Sequence, residues 1–174
     1  MGWRGRVAPD FRPRRLLSHL VARGVDFVVV GGIAMTIHGS DRNTFDLDIC
    51  PAQEPGNLDA LGKALVAIDA RLRGIEEDVP FVPDRRTLKG MQILTLETSL
   101  GALDVLTRPD GSPPYEQLRR RAQRIDIGPT AVAVASIDDL LQMKLAAGRK
   151  KDQIDAETLM AIKRLTSRVD RERT

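Results

Sequence analysis

The sequence predicts a single α+β domain, and three observations lead to that class. Hydrophobic residues make up 42% and charged residues 29% of the 174 residues, as in ordinary globular proteins. Short β-branched runs alternate with amphipathic stretches along the chain. Two helix-patterned segments then close it. We therefore expect a small mixed or antiparallel sheet flanked by helices, with residues 1–135 forming the core and residues 136–174 a C-terminal helical hairpin packed on it.

The first half of the chain opens with a helix and a buried strand. Leucines at helical spacing predict a helix over residues 14–23, and the β-branched run at residues 26–30 predicts a strand covered on both faces. A short helix over residues 33–38 follows. Alternation over residues 44–50 predicts a half-buried strand that buries Phe45, Leu47 and Ile49. Helical spacing then predicts a helix over residues 58–72.

The second half is predicted to contain shorter elements. The proline-interrupted residues 78–86 are expected to be irregular. Strands over 91–97 and 102–107 are joined by a turn at 98–101, and a short helix at 115–122 precedes two small edge strands, 124–127 and 131–135. Ser136 begins a helix that ends at residue 147. A final helix is expected over 152–165, with a fraying charged tail at 167–174.

Composition excludes several classes of protein. Aromatic residues make up only 3%, which argues against a base-stacking platform for single-stranded nucleic acid. The longest apolar stretch, residues 25–35, is shorter than the roughly 20 residues of a membrane span. The N-terminus lacks the pattern of a secretory signal, so we expect a cytoplasmic protein without membrane contact. One cysteine, Cys50, and two histidines, His19 and His38, exclude an internal disulfide and a Cys/His zinc cluster, and we interpret His38 and Cys50 as structural.

Asp46 and Asp48 are the first candidate site residues. They lie two apart on a predicted strand, so both carboxylates project from one face, roughly 6 to 7 Å apart at their backbones. Two ionised carboxylates that face one another repel, and a divalent cation is the usual way to offset that cost. The alternative interpretation is the solvent face of an edge strand.

Two further features support a charged site. Gly31 and Gly32 stand between a buried strand and a helix start, where backbone N–H groups and the helix dipole can meet a phosphate, although a simple tight turn would use the same residues. Asp104 is an acid inside an otherwise apolar strand. Burying an unpaired charge is very costly, so Asp104 either faces solvent or joins the other two acids as a third metal-facing carboxylate.

In order, these residues resemble the polymerase-β-type nucleotidyltransferase superfamily. The pattern is a strand, Gly31-Gly32, a short helix, Gly39-x-x-Arg42-x-Thr44-x-Asp46-Leu47-Asp48-Ile49, and a later strand with the lone Asp104. The branch it is most similar to is that of the AbiEii-like and MenT-like toxins of toxin–antitoxin systems. A weaker likeness continues through Lys144 on a helix to Lys151-Asp152-x-x-Asp155 at a helix start.

The resemblance implies a nucleotidyltransferase fold that transfers a nucleotide from an NTP to a hydroxyl. Mg²⁺ or Mn²⁺ would be held by Asp46, Asp48 and Asp104, and these acids with Lys144 would form the catalytic set. Nucleotide binding would involve Gly31, Gly32, Ser40, Arg42, Lys151 and Asp152. The alternative for Lys144 is an ordinary surface lysine, and for Lys151, Asp152 and Asp155 it is helix capping.

One departure from the superfamily pattern lies at Gly32. Many members carry a serine there, whose hydroxyl contacts the terminal phosphates of the nucleotide, and Thr36, Ser40 or Arg42 are candidates to supply the missing donor. The departure bears on which nucleotide binds and how tightly.

The branch implies a tRNA 3′ end as acceptor and a cognate antitoxin as a partner. Small-molecule acceptors of the aminoglycoside type, protein acceptors, and a catalytically silent binding module or antitoxin remain as alternatives. The 21 Arg and 6 Lys suit phosphate binding, but a GC-rich genome gives the same bias. Two local clusters are candidate RNA surfaces: Arg4, Arg6, Arg12, Arg14 and Arg15, and Arg119, Arg120, Arg121 and Arg124.

Overall fold

The computed structural model describes residues 9–75 and 79–173. Within these ranges the chain forms seven helices and seven strands. The helices are α1 (Pro13–Ala22), α2 (Gly31–Ile37), α3 (Pro55–Val66), α4 (Arg85–Gly90), α5 (Tyr115–Arg121), α6 (Ile137–Ala147) and α7 (Lys150–Glu172). The strands are β1 (Phe27–Val30), β2 (Asp46–Pro51), β3 (Arg71–Leu72), β4 (Ile93–Thr98), β5 (Gly101–Leu106), β6 (Gln123–Asp126) and β7 (Ala131–Val134).

All described strands belong to one mixed sheet with the order β3-β4-β5-β2-β1-β7-β6. The central pairs β2–β5 and β1–β7 are parallel, whereas β1–β2 and the outer pairs are antiparallel. Helices α6 and α7 pack against each other at the C-terminal end. The predicted α+β class, with a mixed sheet and a C-terminal helical pair, is confirmed.

The core is aliphatic, as the low aromatic content requires. Every residue of β1 is buried, and helices α2 and α5 both contact this strand. Leucines of α1 and α3 fill one layer, and each has a relative exposure of 2% or less: Leu16, Leu17, Leu20, Leu58, Leu61 and Leu65. Burying that much apolar surface is the dominant favourable term in folding.

Strand β7 corrects the prediction that residues 131–135 form a small edge element. It lies inside the sheet, parallel to β1 and antiparallel to β6. Its residues Val132, Ala133 and Val134 are buried accordingly. A run of four small apolar residues fits an edge strand and an interior strand equally well, so only the long-range pairing with β1 decides its position.

The helix predicted over residues 58–72 is too long. Helix α3 ends at Val66, and Asp69 adopts a left-handed conformation, with φ at 51°, that turns the chain back. Arg71 and Leu72 then pair with Glu97 and Leu96 as the edge strand β3. The backbone hydrogen bonds of this pairing replace the last turn of the helix.

Three smaller expectations also change. Phe45 is 77% exposed because β2 begins only at Asp46, so Phe45 does not share the buried face with Leu47 and Ile49. Helix α4 was not expected, and Asp84 caps it by accepting a hydrogen bond from the Thr87 N–H at 2.7 Å. The tail predicted to fray from residue 167 continues α7 to Glu172. Asp78 and Thr174 lie outside the described residues.

Among the described helices, none combines the length and the apolar character needed to cross a membrane.

Candidate functional site

Two parallel strands bring the three predicted carboxylates together. Asp48 on β2 lies directly opposite Asp104 on β5, and Asp46 lies opposite Ala102. Residues two apart on a strand share a face, and directly paired residues share it across strands. All three acids therefore project from the same face of the sheet. Of the two alternatives for Asp104, the topology therefore favours the one in which it lies beside Asp46 and Asp48.

Asp48 lies against the first turn of α2. The Gly32 N–H is close enough to its carboxylate to lower the pKa of Asp48. A Cβ atom on Gly31 would lie 2.0 Å from Asp48 Oδ2, and Gly31 has a φ of 67°, so glycine is required there on both counts. Burial, then the charges of Asp46 and Asp104, raise the pKa of Asp48 to about 6, against the lowering effects of Lys144 and Gly32.

Gly32 lies close to Thr44, and this close approach explains why position 32 lacks a serine. A Cβ atom at this position would lie 2.7 Å from Thr44 Oγ1 and 3.0 Å from Thr44 Cβ. The Thr44 hydroxyl donates to Asp46, at 3.3 Å from its carbonyl oxygen and 3.3 Å from Oδ1. A threonine hydroxyl therefore occupies the space beside the helix start that a residue-32 side chain would need. Sequence reasoning missed Thr44 as a site residue, although it stands in the quoted motif.

Asp104 has a partner that the sequence did not predict. Arg73 Nη2 lies 2.5 Å from Asp104 Oδ1. Burial raises the pKa of Asp104, while the Arg73 guanidinium acts in the opposite direction. Arg73 directly follows β3, the edge strand hidden inside the overlong predicted helix, so no local signal placed it near the acids.

Lys144 lies in a charged network at the junction of α6 and α7. Its Nζ atom is 2.8 Å from Asp155 Oδ2 and 3.3 Å from Asp152 Oδ1. Both aspartates are buried, and their other partners are Arg42, which forms an ion pair with Asp155, and Arg149, whose Nε lies 2.6 Å from Asp152 Oδ2. Asp152 also receives the Arg149 N–H at 3.3 Å, so it caps α7 and binds Lys144 at the same time.

The remaining predicted nucleotide-binding residues have local roles or stand apart. The Ser40 hydroxyl is buried and accepts the Arg42 N–H at 3.3 Å. Thr36, one candidate for the missing donor, bonds the Gly32 carbonyl at 3.1 Å. Lys151 is exposed, and it does not line the pocket described next.

A pocket of about 320 Å³ opens beside Asp48. Gly31, Lys144 and Asp152 line it, together with Arg149, which the sequence did not single out as a site residue. Its other walls are largely apolar and include Ile93, Leu106, Leu140 and Met143. Another pocket, of about 480 Å³ beside the end of α3, is larger but contains none of the predicted site residues. Because the charged candidate residues line the smaller pocket, that pocket is the candidate functional site.

No group of three or more His, Cys, Asp or Glu side chains within residues 9–75 and 79–173 is arranged to hold a metal ion. The three carboxylates share a face, but Asp104 is directed to Arg73. Asp46 and Asp48 remain the pair whose oxygen atoms suit a hard cation.

The predicted arginine clusters lie mostly away from this pocket. Arg119 pairs with Asp26 at 3.0 Å, at the start of β1, whereas Asp48 pairs with Val30 at the other end of that strand. Arg121 pairs with the buried Asp139 at 2.9 Å. Arg4 and Arg6 of the first cluster lie outside the described residues.

Similarity to known proteins appears in the fold and not in the sequence. No family model and no curated protein matches the chain. Solved structures do match, among them the following three. An antigenic nucleotidyltransferase-like protein from Paracoccidioides brasiliensis is 18% identical, with a TM-score of 0.51, over 87% of this chain and 73% of that one. The chain has a nucleotidyltransferase-like fold.

The other two structures agree with this fold. A protein of Thermotoga maritima named as a candidate nucleotidyltransferase is 16% identical, with a TM-score of 0.53, over 88% of this chain and 94% of that one. The antibiotic-resistance factor ANT(2'')-Ia is 14% identical, with a TM-score of 0.50, over 92% and 94%. The predicted superfamily fold is thereby supported, and the toxin branch is not addressed by any of the three.

We predict that Asp48→Asn raises the stability of the metal-free protein above pH 6. Because the folded-state pKa of Asp48 lies near 6, above the ordinary value of 3.8, ionisation destabilises the fold as pH rises between those values. Asparagine keeps an acceptor for the Gly32 N–H and removes the charge. Urea unfolding should give a gain of at most about 3 kcal/mol at pH 8 and no gain near pH 4. An equal effect at both pH values would contradict the crowding of negative charge around Asp48.

We also predict that Gly32→Ser is destabilising unless Thr44 is shortened. The added Cβ meets the Thr44 side chain, and such overpacking typically costs about 1 to 3 kcal/mol. In Thr44→Ala the hydroxyl at 2.7 Å is gone, so the double variant should regain part of that loss. Denaturation of the four proteins measures the coupling. Strictly additive effects would show that the two side chains do not compete for this space.

Proposed function

We propose that this protein transfers a nucleotide from an NTP to a hydroxyl group, with Mg²⁺ or Mn²⁺ as cofactor. One observation carries the proposal: Asp46, Asp48 and Asp104 lie on one face of two parallel strands, beside a pocket lined by Gly31, Lys144 and Arg149. Negative ligands for a cation thus stand next to positive groups for phosphates. The nucleotidyltransferase-like fold of the three similar structures supports the same class of reaction.

The residues present fit a hard divalent cation. Oxygen donors of Asp46 and Asp48 are the ligands that Mg²⁺ prefers. Burial and neighbouring carboxylates raise the pKa of Asp48, which indicates negative charge that a bound cation would offset. When bound, Mg²⁺ would draw charge from the phosphate oxygens and bring the triphosphate into line with the acceptor.

The reaction can be written with the chain's own groups. The acceptor oxygen forms a bond to the α-phosphorus, the bond between that phosphorus and the β-bridging oxygen breaks, and pyrophosphate leaves. Asp104 would take the hydroxyl proton. Lys144 and Arg149 would offset charge on the phosphates, the lysine as a point charge and the arginine as a planar fork.

The aspartates of α7 are positioning residues in this scheme. Asp152 and Asp155 bind Lys144 and, through Arg42, connect α7 to the loop before β2. A lysine held by two buried carboxylates has little rotamer freedom left to lose when a phosphate arrives. The apolar walls of the pocket, Ile93 and Leu106 on one side and Leu140 and Met143 on the other, suit the nucleoside.

For the acceptor we propose RNA, specifically a tRNA 3′ end, in the manner of a toxin with a cognate antitoxin. The support is the toxin-like motif together with four exposed basic residues: Arg108 and Arg149 line the pocket, and Lys150 and Lys151 follow Arg149 in the chain. These residues suit phosphate contacts better than Arg119 and Arg121, which already form ion pairs.

A small-molecule acceptor is the second candidate. The observation that favours it is the fold shared with the antibiotic-resistance factor ANT(2'')-Ia, over 92% of this chain.

We predict that an NTP with Mg²⁺ raises the melting temperature, whereas an NTP with a chelator does so much less. A ligand that binds only the native state stabilises it by about 2.7 kcal/mol at a hundredfold excess over its dissociation constant. Differential scanning fluorimetry with each of the four common NTPs measures the shift. Asp48→Asn is the matched control and should abolish the metal-dependent part. If no NTP gives such a shift, the chain is a silent binding module.

We further predict that radiolabel from an NTP is transferred to tRNA and that the basic residues following Arg149 are needed. Replacing Lys150 and Lys151 with alanine should reduce labelling about tenfold and lower the salt dependence of RNA binding, because released counterions scale with the phosphates neutralised. Lys63 and Lys89, exposed lysines on α3 and α4, provide the control pair. Label on an aminoglycoside or on a protein, with none on tRNA, would overturn the RNA acceptor and leave the transfer reaction in place.

A further inference from the structure

Four side chains cross the sheet in a single row beside the pocket. Arg71 and Leu72 pair with Glu97 and Leu96, so Arg73 comes next to Thr95, and its N–H donates to the Thr95 carbonyl at 3.0 Å. Thr95 is paired with Asp104, and Asp104 with Asp48. The row therefore runs from Arg73 through Thr95 and Asp104 to Asp48, across β3, β4, β5 and β2.

This row explains how Arg73 reaches Asp104. Strands in a sheet are about 4.8 Å apart, so Arg73 and Asp104 are about 10 Å apart at their backbones. Thr95, which stands between them in the row, has a short side chain, and the long arginine side chain can span that distance. Arg73 then places Nη2 at 2.5 Å from Asp104 Oδ1. The sheet fixes the backbone of Arg73, so its guanidinium stays beside the three carboxylates.

The guanidinium changes what Asp104 can bind. One oxygen of Asp104 is held by Arg73, and the Asp104 side chain is only 16% exposed, so it has little freedom to turn away. A second cation shared by Asp48 and Asp104 would also lie next to a permanent positive charge, which repels it. Accordingly, no cluster of three acidic groups in the described part of the chain is arranged for a metal.

We propose that Arg73 takes the place of a second metal ion, so that the site binds a single divalent cation through Asp46 and Asp48. Arg73 is then a positioning residue: its ion pair holds the Asp104 carboxylate in a fixed orientation. The inference rests on the proposed nucleotidyl transfer and adds the number of metal ions and the residue that sets it.

The experiment counts Mn²⁺ in the presence of an NTP analogue whose α–β bridge is a methylene group. Titration followed by electron paramagnetic resonance should give one tightly bound Mn²⁺ per chain in the wild type. Arg73→Ala should bind a second, and Arg73→Lys should return to one because it restores the positive charge. Arg73→Ala combined with Asp104→Asn should also bind one, since the ligand for the second ion is lost.

The matched control is Arg85→Ala. Arg85 forms an exposed ion pair with Asp59, and its loss should leave the count at one. Circular dichroism confirms that each variant is folded, and Arg73→Gln, which also removes the positive charge and should bind two Mn²⁺ ions, carries the test if Arg73→Ala is not folded. Two Mn²⁺ ions in the wild type, or one in Arg73→Ala, would overturn the proposal. No Mn²⁺-dependent binding of the analogue by the wild type would instead refute the proposed function itself.

Discussion

Mutual repulsion among three carboxylates is the constraint on which the rest of the site depends. Asp46, Asp48 and Asp104 share one sheet face, and burial weakens the screening that water would provide. Each acid has its own partner: the Thr44 hydroxyl for Asp46, the Gly32 N–H for Asp48 and the Arg73 guanidinium for Asp104. Because the partners come from three different parts of the fold, the acids can only be held together once the sheet and α2 are assembled.

The C-terminal helices contribute an apolar wall, Leu140 and Met143, and a charged network to this site. Asp152 and Asp155 are buried, which is very costly for isolated carboxylates and tolerable here because Lys144, Arg42 and Arg149 surround them. A buried pair of this kind contributes little net stability, but removing one member leaves the other unpaired. Its effect is to fix where α6 and α7 sit, and therefore how far Lys144 stands from Asp48.

Sequence periodicity was sufficient to find the acids but not their partners. Alternation on β2 predicted that Asp46 and Asp48 share one face, because that pattern depends on neighbours two residues away. A lone acid in an apolar strand marked Asp104 as either solvent-facing or part of the same site, and the pairing of β2 with β5 decides between the two. Arg73 and Arg149 could not be found in this way. Arg73 belongs to the site only through the β3–β4 pairing, and local helical spacing had extended α3 through that strand. The long-range pairing of β3 with β4 and the left-handed backbone conformation of Asp69 determine where α3 ends.

The departure at Gly32 has a physical origin in the same neighbourhood. Gly31 must be a glycine because Asp48 fills the space of its side chain, and Gly32 must stay small because Thr44 fills the next space along. A serine at position 32 would have to displace the Thr44 side chain. The hydroxyl beside the first turn of α2 is instead supplied by Thr44, from the strand side, where it also bonds Asp46. Thr44 therefore couples the glycine turn to the acidic face, and the two halves of the site depend on the same close approach of α2 to β2.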